Sequence, residues 1–178
     1  MSYMYWKLEI EDGVATLTIN RAETMNAFEL TTLLEMEDAV QKVIRDEAVK
    51  VLVITGAGEK AFIEGGDIAD LNSRHALKHR YEFATVIHRV FNLVADMEKP
   101  TIAAINGYAL GGGTELLCCC DLRIASENAR IGVPEINLGI FPGAGGSQRL
   151  PRQIPLCKAK ELLFTGDMIT AQEAERIG

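Results

Sequence analysis

The sequence lacks the basic excess, the long apolar run and the cysteine pattern that mark several large classes of protein. Its formal net charge is −7 over 178 residues, which argues against a broad nucleic-acid-binding or anionic-membrane-binding surface. No apolar stretch reaches the roughly 18 residues that a membrane span needs, and residues 1–13 contain no apolar signal core. These features predict a cytoplasmic protein with neither a nucleic-acid nor a membrane partner.

Cysteine and histidine are few, and their spacing fits neither a metal centre nor a disulfide framework. Three of the four cysteines are consecutive, Cys118–Cys120, and the fourth is Cys157. We interpret them as small buried thiols on a packed helix in a reducing compartment. His75 and His79 lie in a charged stretch, and His88 lies off the apolar stripe of its helix. None of the three is predicted to be catalytic.

Strand-like and helical patterns alternate along the chain, which is typical of an α/β protein. Alternating or β-branched runs predict strands over residues 5–10, 14–19, 50–55, 101–105, 121–125 and 129–133. Helical patterns follow Asn26, cover about 80–98 and 114–120, and dominate 142–178. Asn26 is predicted to cap the first helix with Glu29 reaching back to it. Residues 59–74 and 106–110 are predicted loops.

The first helix carries a stripe of apolar residues at close to a 3.6-residue period, which predicts a buried face. The stripe consists of Leu30, Leu33, Leu34, Met36, Val40, Val43 and Ile44.

Three consecutive glycines, Gly111-Gly112-Gly113, stand between a predicted strand and a predicted helix. Their main-chain N–H groups are free of side chains and sit where a helix dipole favours negative charge. The run could form a phosphate site, an oxyanion hole or a plain tight turn, and it matches neither a Walker A motif nor a dinucleotide fingerprint. A second loop, residues 61–67, also offers a bare N–H, at Gly66.

Two glutamates, Glu115 and Glu135, stand in different predicted surroundings. Glu115 lies in the first turn of a helix, where the dipole stabilises a carboxylate. Glu135 follows Pro134 and is flanked by Val133, Ile136, Leu138 and Ile140, an apolar setting that would raise its pKa by desolvation. Two carboxyl groups whose pKa values are pushed apart suit acid/base catalysis.

Together, INGYALGGGTEL, GVPEINLGIFPGAGGSQRLPR, AFIEGGDIADL and NRAETMNAF resemble the motifs of the crotonase (enoyl-CoA hydratase/isomerase) superfamily, in order and spacing. The resemblance covers essentially the whole chain. It implies a single domain over residues 1–178: a spiral of ββα units to about residue 140, followed by the start of a C-terminal helical region. That region is expected to continue past Gly178, and assembly as a homotrimer or hexamer is implied.

Within the family, the glutamate pair is similar to that of the enoyl-CoA hydratases of fatty acid metabolism and β-oxidation. The resemblance implies that the N–H groups of Gly66 and Gly112 form an oxyanion hole for the thioester carbonyl. Glu115 would orient and activate a water, and Glu135 would hold the same water and supply the proton for C2. No cofactor or metal is implied, because the CoA thioester is the substrate. The residues implied to line the acyl-CoA site are Met25, Ala27, Gly65, Gly66, Asp67, Ile68, Ala69, Gly111 and Gly112.

The sequence departs from the family pattern at two positions near this site. Glu64 replaces a small residue, and its carboxylate could either disfavour an enolate or face solvent. Ala69 stands where many hydratases carry a lysine near the CoA phosphates, so Arg21 and Lys60 are the candidate phosphate partners.

Three functions are compatible with the resemblance. The first is hydration of a 2-trans-enoyl-CoA to 3-hydroxyacyl-CoA by syn addition. The second is another acyl-CoA reaction on the same scaffold, above all double-bond isomerisation, which needs Glu135 but can dispense with Glu115. The third is a non-catalytic relative that binds RNA, against which the net charge of −7 and the intact glutamate pair argue.

Overall fold

The computed structural model describes residues 3–178, which form two sheets and the helices that accompany them. The strands are β1 (Trp6–Glu11), β2 (Val14–Ile19), β3 (Val51–Gly56), β4 (Ala61–Ile63), β5 (Thr101–Ile105), β6 (Tyr108–Leu110), β7 (Leu122–Ala125), β8 (Arg130–Gly132) and β9 (Met168–Thr170). The α-helices are α1 (Leu30–Arg45), α2 (Ile68–Asn72), α3 (Ala76–Lys78), α4 (Thr85–Ala95), α5 (Gly112–Leu117), α6 (Gly146–Gln153), α7 (Leu156–Thr165) and α8 (Ala171–Ile177). A π-helix (His79–Ala84) leads into α4, and 3-10 turns cover Ala22–Thr24 and Pro134–Leu138.

From β3 to β8, successive strands alternate between the two sheets, and this alternation produces the predicted spiral. The five-stranded sheet has the order β1-β2-β3-β5-β7, and the four-stranded sheet has the order β4-β6-β8-β9. Each of the pairs β3–β4, β5–β6 and β7–β8 therefore gives one strand to each sheet. Pairing between turns of the spiral is parallel, whereas the β1–β2 hairpin and the β8–β9 pair are antiparallel.

The hydrophobic core lies beneath α1 and α4, which pack on each other. The largest fully buried side chains include Phe28, Phe62, Phe91, Leu17, Ile19, Leu33, Met36, Leu52 and Ile54. Trp6 is also buried, and its indole N–H donates to the carbonyl of Thr32 at 2.8 Å. Burial of this apolar surface is the main force that holds the spiral together.

The position of the first helix agrees with the sequence prediction, but its N-cap residue is different. Glu29 is the N-cap residue of α1 and forms a capping box with Thr32. Asn26 instead has a positive φ of 59° and is fully buried. Its side chain accepts from Arg21 N and donates to the carbonyls of Ala57 and Ala61, so the expectation that it caps the helix is wrong. Its amide ties the segment before α1 to the loop after β3.

The apolar stripe of α1 is narrower than predicted. Leu33, Met36, Val40 and Val43 are buried as expected, whereas Leu34 and Ile44 are exposed. A helix on the surface of the spiral buries only the side that meets the sheet and α4, so the edges of the stripe stay in solvent.

Several short elements differ from the sequence prediction. Residues 59–74 contain β4 and α2, and residues 106–110 contain β6. The helix predicted over 114–120 ends at Leu117; Cys118–Cys120 are buried just beyond it, and Cys157 on α7 is exposed. Residues 142–178 hold β9 as well as three helices. Three-residue strands owe their pairing to distant chain segments, so their own sequences carry little signal.

Among residues 3–178, no helix is both long enough and apolar enough to cross a bilayer. The single-domain boundary at residues 1–178 stays a prediction.

Candidate active site

The two glycine-containing loops singled out in the sequence lie side by side. A Cβ added at Gly65 would stand 3.5 Å from the Gly112 nitrogen and 3.2 Å from the Leu110 carbonyl oxygen. Gly65 has a φ of 123°, a conformation that side chains strongly disfavour. The strands β4 and β6 pair in parallel and end at the same edge, which brings the loop after each to one place.

Two main-chain donors are left open between these loops. Within residues 3–178, the N–H groups of Gly66 and Gly112 donate to no protein acceptor. At Gly66 the cause is the parallel bridge with Phe28, which uses the carbonyl of Gly65 and the N–H of Asp67. Gly112 is the first residue of α5, where an N–H has no partner within the helix.

The segment implied to contact CoA runs alongside the first of these loops. The carbonyl of Met25 accepts from Glu64 N at 3.1 Å, and Phe28 N donates to the Gly65 carbonyl at 2.7 Å. Met25 is half-buried with a φ of 54°, and Ala27 is buried. The structure therefore places Met25 and Ala27 next to the loop that carries Gly66.

Glu115 is buried on α5 as a hydrogen-bonded carboxyl group, with only 3% of the residue exposed. Its Oε1 accepts from the N–H groups of Ala144 and Gly146, each at 2.7 Å. Burial raises the pKa of Glu115, and these two bonds, together with the charge of Arg149, oppose the rise. Oε2 of Glu115 accepts from no other residue among those described. The carboxyl is thus fixed through one oxygen and has the other available.

Glu135 stands in the turn after β8 and differs from Glu115 in its electrostatics. It is 9% exposed, and its Oε2 is buried without a hydrogen-bond partner among residues 3–178. Burial, with a smaller contribution from the charge of Glu115, raises the pKa of Glu135 to about 7. A Cβ added at Gly111 would lie 3.2 Å from Oε1 of Glu135, which places this carboxyl directly over the start of α5.

The predicted rise in the pKa of Glu135 holds, but its predicted cause is partly wrong. Val133 is buried, whereas Ile136, Leu138 and Ile140 are exposed. The carboxyl lies against the Gly111 turn, and these three apolar side chains, being exposed, do not form the enclosed setting that the sequence predicted.

The structure also shows where two charged residues near the site, Glu64 and Arg21, lie. Glu64 is exposed, which agrees with the alternative that it faces solvent. Arg21 is buried, with 8% of its side chain exposed, and it pairs with Glu29 at 3.1 Å and Asp67 at 3.4 Å. The expectation that Arg21 meets CoA phosphates is therefore wrong, because its guanidinium is already committed to two carboxylates inside the protein.

The remaining predicted contacts lie at the rim of the site. Ile68 and Ala69, in the first turn of α2, are exposed. Asp67 caps this helix, since its Oδ1 accepts from Ala69 N and Asp70 N. Lys60 is exposed immediately before β4 and stays a candidate for a phosphate partner.

Sequence reasoning missed the loop over residues 142–146 as part of this site. Its N–H groups at Ala144 and Gly146 hold Glu115, and a Cβ at Gly146 would stand only 2.8 Å from Glu115 Cγ. The glycine-rich run Gly143–Gly146 was the available signal, because glycine lets a main chain approach another group closely.

The arrangement brings together one fixed carboxyl, one carboxyl with a pKa near neutrality and two open N–H donors. Such a set can move a proton beside a carbonyl group while stabilising negative charge on its oxygen. Within residues 3–178, no group of three histidine, cysteine or acidic side chains is arranged to hold a metal ion.

Comparison with known proteins identifies the family. The family model described as Enoyl-CoA hydratase/isomerase matches residues 9–178. Crotonyl-CoA hydratase of Syntrophomonas wolfei subsp. wolfei is 53% identical over 178 residues, which are 100% of this chain and 68% of that protein. Short-chain-enoyl-CoA hydratase of Clostridium acetobutylicum is 47% identical over 171 residues, 96% of this chain and 65% of that protein.

Solved structures agree in fold. The crystal structure of enoyl-CoA hydratase from Bacillus anthracis superposes with a TM-score of 0.94 at 40% identity, covering 97% of this chain and 67% of that one. The present chain spans about two thirds of the length of these three relatives. The predicted crotonase-like α/β fold is confirmed, and the chain belongs to the enoyl-CoA hydratase/isomerase family.

Proposed function

We propose that this site hydrates a 2-trans-enoyl-CoA thioester by syn addition, giving the 3-hydroxyacyl-CoA, in fatty acid metabolism such as β-oxidation. The relatives named crotonyl-CoA hydratase and short-chain-enoyl-CoA hydratase, at 53% and 47% identity, favour a short acyl chain. The enzyme is then a hydro-lyase, and the reaction needs no cofactor or metal because both catalytic groups are side chains.

Water is the nucleophile in this reaction, and the two glutamates share the proton transfers. The water oxygen forms a bond to C3 as one of its protons passes to Glu115. Glu135, in its acid form, donates a proton to C2. The C2–C3 π bond of the substrate and one O–H bond of water are thereby broken, and a C3–O bond and a C2–H bond are formed. The proton gained by Glu115 returns to Glu135 through the next water, which restores both groups.

Negative charge must build on the thioester oxygen before C2 is protonated. The open N–H groups of Gly66 and Gly112 are the proposed donors to that oxygen. Losing one such donor costs roughly 3–4 kcal/mol of activation free energy in enzymes with an oxyanion hole. Met25, Ala27, Asp67, Ile68 and Ala69 are the proposed contacts of the acyl-CoA.

The observation that carries this proposal is the contrast between the two buried carboxyl groups. Glu115 is held through Oε1 by two N–H groups, as suits a group that must orient a water. Glu135 has a pKa of about 7 and a buried oxygen without a partner. Buried polar atoms in proteins are nearly always hydrogen-bonded, so the free Oε2 supports a bound water or substrate at that position.

The test compares the variants Glu115→Gln and Glu135→Gln with the parent in hydration of crotonyl-CoA, followed by loss of absorbance of the conjugated thioester. Each substitution is expected to lower kcat by roughly 10²- to 10⁴-fold, the contribution of a positioned acid or base. Glu64→Gln is the matched control, because Glu64 is exposed beside the same site, and it should retain the parent rate.

The same variants separate hydration from isomerisation. If Glu115→Gln hydrated crotonyl-CoA at the parent rate while Glu135→Gln did not, Glu115 would have no role in activating water. Double-bond isomerisation would be the better assignment if the parent left crotonyl-CoA unhydrated but isomerised a 3-enoyl-CoA, with that activity lost in Glu135→Gln and kept in Glu115→Gln, since isomerisation needs only one acid/base group.

Self-association and location form a second part of the proposal. We propose a homotrimer or a hexamer, which the exposure of Leu122 and Ile124 on one face of β7 supports, since contiguous exposed apolar side chains mark contact surfaces. Sedimentation velocity would give the assembly state. A cytoplasmic location is proposed on the buried free thiols of Cys118–Cys120, which suit a reducing compartment, and cell fractionation would test it.

A further inference from the structure

Loop 142–146, which holds Glu115, is itself held by a single arginine side chain. Arg149 lies on α6, and its Nη1 donates to the carbonyl of Ala144 at 3.0 Å. Its Nη2 donates to Oδ1 of Asn92 on α4 at 2.6 Å. The guanidinium therefore joins the loop to α4.

Ala144 is fixed at both of its main-chain polar groups. Its N–H donates to Glu115 Oε1 at 2.7 Å, and its carbonyl accepts from Arg149 at 3.0 Å. A Cβ at Gly145 would stand 2.2 Å from Arg149 Nη1, and Gly145 has a φ of 105°. Glycine at this position is what allows the guanidinium to lie across the loop.

We propose that Arg149, anchored by Asn92, is a positioning residue that sets loop 142–146 so that Ala144 and Gly146 hold the Glu115 carboxylate in its water-orienting place. The role in orienting water rests on the proposed hydratase function. The positioning of the Glu115 carboxylate by the loop does not depend on that function, because it follows from the hydrogen bonds alone.

Charge gives the same arginine a second effect on Glu115. The Arg149 guanidinium lowers the pKa of Glu115, against the rise that burial causes. The other titratable groups around Glu115 are the carboxyl of Glu135 and the thiols of Cys118 and Cys119, and the pKa of each is itself raised by burial. None of them supplies a positive charge, so removing Arg149 leaves Glu115 with only its two N–H donors.

The first test needs no catalytic activity. In protein labelled with ¹³C at glutamate carboxyls, Glu115→Gln identifies the Glu115 resonance, and its titration is compared in the parent and in Arg149→Gln. We expect the titration midpoint to rise by about half a pH unit or more on loss of a nearby opposite charge. An unchanged midpoint in folded Arg149→Gln would overturn the inference. Arg152→Gln is the control, since Arg152 is exposed on the same helix and, within the described part of the chain, its side chain bonds only to Gln148.

The second test separates positioning from charge. Arg149→Lys keeps the charge but cannot reproduce the planar two-nitrogen bridge. Asn92→Ala removes the anchor at an exposed position, where substitutions usually change stability little. Both are expected to lower kcat for crotonyl-CoA hydration roughly 10-fold or more with little change in KM, because misplacing a reacting group acts on the chemical step. Parent kcat in both variants would overturn the positioning role. A parent without hydratase activity would contradict the proposed function, and the carboxyl titration would still decide the role of Arg149.

Discussion

Replacing Glu135 with glutamine is expected to change how the stability of the protein depends on pH. The folded protein holds this carboxyl in a buried position that raises its pKa from 4.5 to about 7. The unfolded chain exposes it to water and restores its ordinary value. Glutamine keeps the shape of the side chain and removes the titration.

The sign of the effect follows from which form each state prefers. Below pH 4.5 the carboxyl is protonated and uncharged in both states, so its ionisation does not lower the free energy of unfolding. As the pH rises from 4.5 through about 7, the unfolded chain ionises first, so the free energy of unfolding falls. Stability is therefore present at low pH and lost towards pH 8.

The size of the loss follows from the same two values. The difference between 4.5 and about 7 corresponds to roughly 3 kcal/mol at 1.36 kcal/mol per pH unit. Water that reaches the open side of the site screens part of this, so we expect about 2 kcal/mol. Relative to the parent, Glu135→Gln should gain that amount in free energy of unfolding between pH 5 and pH 8. Glu115, also buried, remains in both proteins, and its own contribution largely cancels.

Urea unfolding at pH 5, 6, 7 and 8 measures this difference. Trp6, the only tryptophan and a buried one, reports the transition by fluorescence. Glu64→Gln is the matched control, because it removes one carboxylate at an exposed position near the same site. A Glu135→Gln difference that does not vary from pH 5 to pH 8 would refute the raised pKa and, with it, the acid role of Glu135.

Three further predictions concern packing, buried charge and thiol reactivity. Gly113→Ala places a Cβ 2.0 Å from the Ile63 carbonyl oxygen and should lower the free energy of unfolding in urea by about 2–3 kcal/mol. Gly143→Ala is the control: its Cβ would have a single neighbouring atom, at 3.7 Å, so the stability should change little. Arg21→Met leaves the partly buried carboxylates of Glu29 and Asp67 without their cation and should lower the free energy of unfolding by about 3 kcal/mol. A decrease below about 1 kcal/mol would contradict the buried pairing. Cys157 alone should react rapidly with a thiol reagent in the native protein, because burial raises the pKa of the three consecutive thiols to about 11–12; four fast thiols before unfolding would disprove it.

The longer elements of this fold could be predicted from local sequence pattern. The β1–β2 hairpin follows from alternating side chains around a tight turn, and α1 follows from a stripe of apolar residues. The strand β4 could not be predicted in this way. It has three residues and pairs with β6, which lies more than 40 residues further along the chain.

Burial was the least predictable property of the individual residues near the site. Arg21 reads as an ordinary basic residue near the site, yet the fold encloses it against Glu29 and Asp67. Ile136 and Leu138 read as the apolar cover of Glu135, yet both face solvent. Whether a side chain is enclosed depends on segments that are distant in sequence, and no local pattern contains that information.

The sequence by itself determined the alternation of strands and helices, the glycine turns and the identity of the two glutamates, because each depends on residues that are neighbours in the chain. Only the tertiary structure decided how those glutamates differ. Glu115 became the hydrogen-bonded carboxyl because loop 142–146 closes on it from about 30 residues away. Glu135 became the carboxyl with a pKa of about 7 because the turn after β8 buries it over Gly111. Desolvation and hydrogen bonding act through space, so the chemistry of the pair was set by packing.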